Sequence, residues 1–264
     1  MKLSIIIVSY NTKDLLRKCL NSLKGYDTEI IVVDNNSQDD SQSVVKKEFP
    51  DVHLIINDDN LGFAKANNQG IKIATGDYVL LLNSDTQVKP GALEKLVEFA
   101  KSHLDAGVIG ARLLNQDGSI QPSIYRLPTI TNAIKEFWLG QLGLTEKYFI
   151  DSSKGEEVEA VVGAVFLIPK TVIQKVGLLD ERYFMYFEDL DYCRRVRRAG
   201  YKVYYFPKAE VFHYHGASGK KIGNITNQWL IQSSKIYHGK IKYLILTVII
   251  FTGQKWQKII RKRY

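Results

Sequence analysis

"LSIIIVSYNTKDLLRKCLNSLKGYDTEIIVVD", residues 3–34, decides the fold. Leu3–Ser9 is an unbroken β-rich apolar run, the pattern of a strand buried on both faces. Thr12–Leu23 switches to helical spacing, with Leu15, Leu16, Cys19, Leu20 and Leu23 on one side. Glu29–Val33 is a second apolar strand, and it stops at Asp34. Outward from this unit the alternation continues. Helices are expected over Asp40–Glu48, Gly62–Ala74 and Pro90–Lys101, with Pro90 at a favoured first-turn position. Strands are expected over Val52–Ile56 and Tyr78–Leu82. Strands alternating with helices predict an α/β fold with a mostly parallel central sheet flanked by helices.

In such sheets ligands gather at the carboxyl ends of the strands. Here those ends are "SYN" (Ser9–Asn11), "DNNSQDD" (Asp34–Asp40) and "NSD" (Asn83–Asp85). Turn chemistry accounts for part of this, since Asn, Asp and Ser are turn formers. Three successive polar ends point to a polar ligand. Beyond residue 107 the regularity weakens. "LLNQDGSIQPS" has Asp117-Gly118 as a hairpin turn, and residues 127–157 resist assignment. Val158–Ile168 is strand-like, Lys170–Val176 and Asp189–Ala199 are helical, and Lys202–Phe206 and Glu210–His213 are short strands. The rest reads as mostly helical.

The 264 residues are 45% hydrophobic and 24% charged, an ordinary globular composition. Cys19 and Cys193 stand alone, so neither a disulfide framework nor a cysteine metal site is indicated, and a reducing cytosol is the default. The amino-terminal apolar run lacks a small-residue cleavage site and reads as a first strand. The net charge of +8 is uneven: residues 211–264 hold ten Lys or Arg and no acid, while the remainder holds 26 basic and 28 acidic residues. The tail therefore favours an anionic surface. Its apolar run, Tyr243–Gly253, is too short to span a bilayer. Lys240, Lys242, Lys255, Lys258 and Arg261–Arg263 flank it, with Trp256 at its boundary, which suits a helix lying in the headgroup region. A helix packed on the domain or in a dimer is the plainer alternative.

"YFMYFEDLDYCRRVRRAGY", Tyr183–Tyr201, sets Glu188, Asp189 and Asp191 against aromatic surface at a helix start. Either Asp189 or Asp191 suits an N-cap. A carboxylate in a pocket, ready to take a proton, is the sharper reading. Phe184, Tyr186 and Phe187 serve as core or as an apolar wall, and Arg194, Arg195, Arg197 and Arg198 fit a solvated helix face better than a diphosphate clamp.

Five ordered segments carry a resemblance: "SIIIVSYN", "IVVDNNSQDDS", "NLGFAKANNQGIKIATGDYVLLLNSDT", "GAVFLIPK" and "FMYFEDLDYCRRVRRAGY". Together, over about residues 2–220, the chain resembles the inverting family 2 glycosyltransferases of GT-A fold, and most of all their bacterial rhamnosyltransferase branch, which builds surface polysaccharides. The resemblance implies that Ser9, Asn11 and Asp34 contact the nucleotide base and ribose, with Asn60, Gly62 and Asn67 lining the same pocket. Asn60 also fits a helix cap, and Gly70 suits close helix packing. "NSD" stands where the family has Asp-x-Asp, so Asn83 replaces the first Asp. Asp85 keeps the carboxylate for Mg²⁺ or Mn²⁺ at the diphosphate. In "VFHYHGASG", His213 occupies the position of a histidine that reaches the metal, with His215 as competitor. Asp189 becomes the catalytic base and Glu188 an acceptor contact. The implied partners are a nucleoside-diphosphate sugar and a saccharide acceptor, possible on polyprenyl diphosphate. The implied location is the cytoplasmic face of the membrane, and nucleic acid is not a partner.

Two other functions compete with this reading. A nucleotidyltransferase on sugar phosphates needs a Gly-rich, basic phosphate loop after the first strand, which "SYNTKDL" lacks. A basic-tail binding protein for nucleic acid is disfavoured because the positive charge is mixed with a long apolar run and the body is not basic. The expected organisation is a catalytic domain over residues 1–219 and a basic, apolar tail over 220–264.

Overall fold

The structure is a computed structural model describing residues 2–214 and 223–261. His215 lies outside them. The amino-terminal half follows the alternation: β1 (Leu3–Ser9), α1 (Lys13–Ser22), β2 (Glu29–Asp34), α2 (Ser41–Glu48), β3 (His53–Ile56), α3 (Phe63–Ile73) and β4 (Tyr78–Leu82). These strands lie in the order β3-β2-β1-β4, all parallel, with Ser9 beside Asp34 at the carboxyl edge.

Side chains alternate across the sheet because a strand has period two. Ile5 and Ile7 face one core cluster with Leu16, Leu20 and Leu80, while Ile6 faces the other with Ala64, Val79 and Leu81. Gly70 permits the close approach expected of it. A Cβ there would meet Ile6 Cγ2 at 2.6 Å, so α3 sits tightly on β1.

The second half comprises β5 (Thr86–Val88), α4 (Ala92–Ser102), β6 (Ala106–Leu114), β7 (Ile120–Gln121), β8 (Ile124–Tyr125) and α5 (Ile130–Phe137). It continues with β9 (Glu156–Val158), β10 (Ala160–Val161), β11 (Val165–Pro169), α6 (Lys170–Val176), α7 (Glu188–Arg198) and β12 (Lys202–His213). Helices α8 (Gly223–His238) and α9 (Lys240–Arg261) close the chain. Here the sheet becomes mixed: β11 runs antiparallel between β4 and β6, β12 is parallel to β6, and β5 is antiparallel to β12.

Several boundaries differ from expectation for local reasons. Pro90 lies outside α4, because Gly91 takes φ 77 as the cap and the helix begins at Ala92. The strand-like stretch Val158–Ile168 divides into parts of β9, β10 and β11. The two short strands after Lys202 form one, whose register shifts between Phe206 and Glu210, where Pro207 can donate no ladder bond. The Asp117-Gly118 hairpin is present, with Gly118 at φ 82 and Asn115 N–H donating to Ser119 O. The unassigned stretch contains α5, whose Thr129 caps it by accepting from Asn132 N–H at 3.0 Å.

Candidate active site

At the edge formed by β1 and β2, short polar side chains hold one another. Thr12 Oγ1 lies 3.0 Å from Ser9 Oγ and donates to Ser84 Oγ at 3.0 Å, joining the ends of β1 and β4. Asn11, at φ 53, accepts from Gln38 N–H at 2.7 Å, and its own N–H donates to Ser37 Oγ. Asp34 is buried. Its Oδ1 accepts from Ser37 N–H and from Gln42 Nε2, while Oδ2 is buried with no partner among the described residues. A buried carboxylate oxygen left unpaired is costly unless a ligand N–H or O–H reaches it.

The Asn60–Asn67 segment joins this edge to a second loop. Asn60 Oδ1 accepts from Gly62 N–H at 3.0 Å. Gly62 caps α3 with φ 82 and ψ 174, a region essentially open to glycine alone. A Cβ there would sit 2.5 Å from Phe184 O, and Phe63 N–H donates to that same carbonyl at 2.7 Å. Asn67 lies one turn inside α3, buried, with its amide donating to Phe63 O.

At the end of β4, Asp85 Oδ1 lies 3.4 Å from His213 Nε2, and both side chains are buried. Gln121 Nε2 donates to Asn115 Oδ1, so its Oε1 accepts from His213 Nδ1, 2.7 Å away. That bond turns Nε2 toward Asp85. Asn83 Oδ1 is buried and unpaired among the described residues. Two adjacent ligands of an octahedral Mg²⁺ or Mn²⁺ lie about 3 Å apart. A carboxylate and an imidazole at this separation fit two positions of such an ion, and since no third His, Cys, Asp or Glu joins them among the described residues, phosphate and water oxygens would complete its shell.

Glu188 and Asp189 open α7 after two consecutive left-handed aromatic residues, Tyr186 (φ 71) and Phe187 (φ 69). Bulky side chains rarely adopt this backbone, and such strain concentrates where it positions function. Asp189 is therefore inside the helix and is not its cap. Its Oδ1 accepts from Leu190 N–H at 2.8 Å and its Oδ2 from Gly163 N–H at 3.1 Å. Burial raises the Asp189 pKa, against those N–H groups and the nearby Lys147 ammonium, which lower it. Glu188 is buried with Oε2 unpaired, and burial first and Asp189 second push its pKa well above the usual range. Of two neighbouring carboxylates, Glu188 retains the proton more strongly and Asp189 is the better anion.

Asp191, Arg194, Arg195 and Arg197 of α7 have structural roles. Asp191 is buried, accepts from Arg194 at 2.6 Å and Arg195 at 2.8 Å, and is not the cap. Arg195 also donates to Val176 O and Leu178 O, and Arg197 to Val158 O, so these arginines tie neighbouring segments to the helix, while Arg198 is exposed as a solvated face requires.

Sequence reasoning missed Lys147 and Tyr125. An isolated bridge pairs Ile124 with Tyr148, and Lys147 Nζ lies 5.4 Å from the Tyr125 ring centroid. Burial lowers the Lys147 pKa while Asp189 raises it. Burial, Asp189 and then Glu188 raise that of Tyr125. Helix α8 was also missed as a wall of the site. Ser233 Oγ donates to Met185 O at 2.8 Å, Trp229 packs on Phe184 at 4.7 Å, and Tyr237 packs on Phe187 at 5.2 Å.

The sheet order, with polar groups at its carboxyl edge, defines an α/β protein with an open, mostly parallel sheet. The chain belongs to glycosyl transferase family 2, which it matches over residues 4–176. It is 29% identical over 236 residues to the N-acetylglucosaminyl-diphospho-decaprenol L-rhamnosyltransferase of Mycobacterium tuberculosis (strain CDC 1551 / Oshkosh), covering 82% of this chain and 77% of that one. It is 24% identical over 251 residues to the rhamnosyltransferase WbbL of Escherichia coli (strain K12), covering 91% and 94%. Its fold is similar to that of GalNAc-T7, solved with UDP, GalNAc and Mn²⁺, with a TM-score of 0.61 at 17% identity. That match covers 81% of this chain but only 44% of the other, and it establishes the GT-A type of fold.

Proposed function

We propose that this enzyme transfers a hexose, rhamnose, from a nucleoside-diphosphate sugar to a saccharide acceptor on polyprenyl diphosphate, inverting the anomeric centre, in bacterial surface-polysaccharide assembly. One observation carries the reading: consecutive residues entering β11 tie the two halves of the site together. Ala164 O accepts from Asn83 N–H at 3.0 Å, and Gly163 N–H donates to Asp189. The candidate base and the Asp85–His213 pair thus share one rigid support. The similarity to two rhamnosyltransferases, one named for a diphospho-decaprenol acceptor, supports the choice of sugar and carrier.

Ser9, Asn11 and Asp34 hold base and ribose, with the unpaired Asp34 Oδ2 accepting from the nucleoside. Asn60 and Gly62 shape the pocket wall through the Phe184 carbonyl, with Asn67 behind them. Asn83 and Asp85 face the diphosphate. Divalent Mg²⁺ or Mn²⁺ on Asp85 and His213 supplies Lewis-acid neutralisation of the leaving group when bound. The acceptor hydroxyl attacks the anomeric carbon from the face opposite the diphosphate, Asp189 takes its proton as the new bond forms, and the anomeric C–O bond breaks to release the nucleoside diphosphate with that electron pair. Glu188 contacts the acceptor. Lys147 favours the anionic form of Asp189.

The basic carboxy-terminal segment seats the enzyme on the anionic cytoplasmic face of the membrane. Among the described residues no helix is long and apolar enough to cross it. We divide the chain at Gly239, whose φ of 75 separates α8 from α9, because α8 packs on the loop before Asp189. The test is transfer from a panel of nucleotide sugars to a synthetic lipid-diphosphate saccharide, with the anomeric configuration of the product read by NMR. Inverted product from dTDP-rhamnose is expected. Retention, or transfer only to neutral acceptors, overturns the reading.

A further inference from the structure

Helix α9 faces the protein with its narrow side. Leu246 is buried against the rest of the chain, and a Cβ on Gly253 would meet Phe137 Cβ at 2.6 Å. Gln257 Nε2 donates to Glu136 O at 2.8 Å and Ile249 O accepts from Trp138 Nε1 at 3.2 Å. The opposite side is apolar and open to solvent. Ile241 is 79% exposed and Leu244 63%, followed at helical spacing by exposed Val248 and Phe251. A surface helix normally presents the reverse arrangement.

The turn after α5 adds to this surface. Leu139 is 67% and Leu142 74% exposed, yet the turn is firmly built. Glu136 is buried, and its carboxylate accepts from Leu144 N–H at 2.7 Å and Thr145 N–H at 2.6 Å. Gln141 N–H donates to Lys135 O, and Gly140 and Gly143 take φ 74 and 78. Trp138 stacks on Trp256 with centroids 6.2 Å apart, joining the turn to α9. The turn thus holds two leucines outward, and the Trp138–Trp256 stack fixes it to α9, whose own outward face is apolar.

Its charge surroundings point to the occupant. The acid of α5, Glu136, is turned inward, while the chain from residue 211 onward has ten cations and no acid. A second copy docked face to face would oppose those cations with its own. An anionic bilayer complements them and accepts leucine, phenylalanine and tryptophan at its headgroup boundary.

We infer that Leu139 and Leu142 of the α5 turn insert into an anionic bilayer together with the outward face of α9, so that two segments distant in sequence form the membrane seat. This rests on the membrane reading of the tail and extends it. Two lines of contact fix the orientation of the catalytic body, where a single helix would leave it free to swing. Through α8, which bonds Met185 O, that orientation reaches the loop that leads into α7 and Asp189.

The test uses the full chain and vesicles of phosphatidylglycerol and phosphatidylcholine. Wild type, the Leu139→Glu/Leu142→Glu pair and the Leu244→Glu/Phe251→Glu pair are co-sedimented at low salt, with Tm measured for each. A Leu142→Cys variant carrying an environment-sensitive dye reports insertion directly. All four positions are exposed, so Tm should hold. Both glutamate pairs should lose binding by at least about tenfold, since each places two charges in apolar lipid, and the dye should shift to the blue on vesicles. If wild type sediments, the Leu139/Leu142 pair sediments equally well and the dye stays in water, the inference is overturned while the tail reading stands. If wild type remains in the supernatant, or is a dimer that the glutamate pairs dissociate, both are overturned and the patch belongs to a second copy.

Discussion

Gly163 N–H donates to Asp189 Oδ2 at 3.1 Å, and a Cβ on Gly163 would meet Asp189 Cβ at 3.5 Å. The carboxylate thus rests on the backbone at the entry to β11, the strand that also borders β4 and the Asn83–Asp85 turn. In the proposed reaction, an acceptor hydroxyl approaching Asp189 would meet an oxygen already aimed by this backbone.

Gly62 supports the loop that leads to this carboxylate. With φ 82 and ψ 174, any side chain there costs about 1–3 kcal/mol from the backbone alone. The contact with Phe184 O adds to that. Gly62→Ala should lower stability in urea by at least this amount and reduce transfer, through displacement of the Phe184–Phe187 turn. A variant with unchanged stability and rate would show that the turn does not depend on this glycine.

The pH profile distinguishes Lys147 from Glu188. The base acts deprotonated, so activity falls as pH drops through the raised pKa of Asp189. Lys147 lowers that pKa, and Lys147→Gln should move the acid limb of kcat/KM to higher pH. Glu188 has a stability signature of its own. Its folded pKa is raised, so folding binds an extra proton and stability declines as pH rises from the ordinary glutamate value toward the raised one. Asp189, also raised, adds a decline of the same sign, so Glu188→Gln should make the decline shallower in a series of melts without abolishing it. An unmoved acid limb in Lys147→Gln removes this lysine from the site.

The Asp85–His213 pair predicts a metal dependence. Lewis-acid stabilisation is worth several kcal/mol, so Asp85→Ala should reduce transfer roughly hundredfold or more. His213→Ala should weaken Mn²⁺ binding measured by titration in the presence of nucleoside diphosphate. EDTA should silence the wild type and added Mn²⁺ or Mg²⁺ restore it. Full activity in EDTA would contradict the ligand assignment.

Helix α8 should matter to the rate and not to donor affinity. Ser233→Ala removes a bond worth about 1 kcal/mol to Met185 O, and Trp229→Ala removes the packing on Phe184. Both should lower kcat with little change in the dissociation constant of the nucleotide sugar. Equal kcat in both variants would make α8 a bystander.

The amino-terminal half was legible because its strands are buried on both faces and its helices carry one apolar stripe. Leu3–Ser9 and Tyr78–Leu82 are strands to the residue, and Asp34 was conspicuous at a strand end. What was hidden depends on distant pairing. Gln121 meets His213 only through the hairpin after β6, and Lys147 reaches Tyr125 only through the Ile124–Tyr148 bridge. Arg194 and Arg195 look solvated as a run of cations, but their partners, the carbonyls of Tyr237, Val176 and Leu178, lie in other segments. Side chains that bond backbone carbonyls leave no mark on composition or spacing.

The most direct test of the account is Asp189→Asn, which keeps size and hydrogen-bonding shape while removing the proton acceptor. Transfer should fall by about 10²-fold or more, the usual range for a lost general base, with nucleotide-sugar affinity and Tm unchanged. Transfer near the wild-type rate in a folded Asp189→Asn enzyme would contradict the assignment of Asp189 as the base.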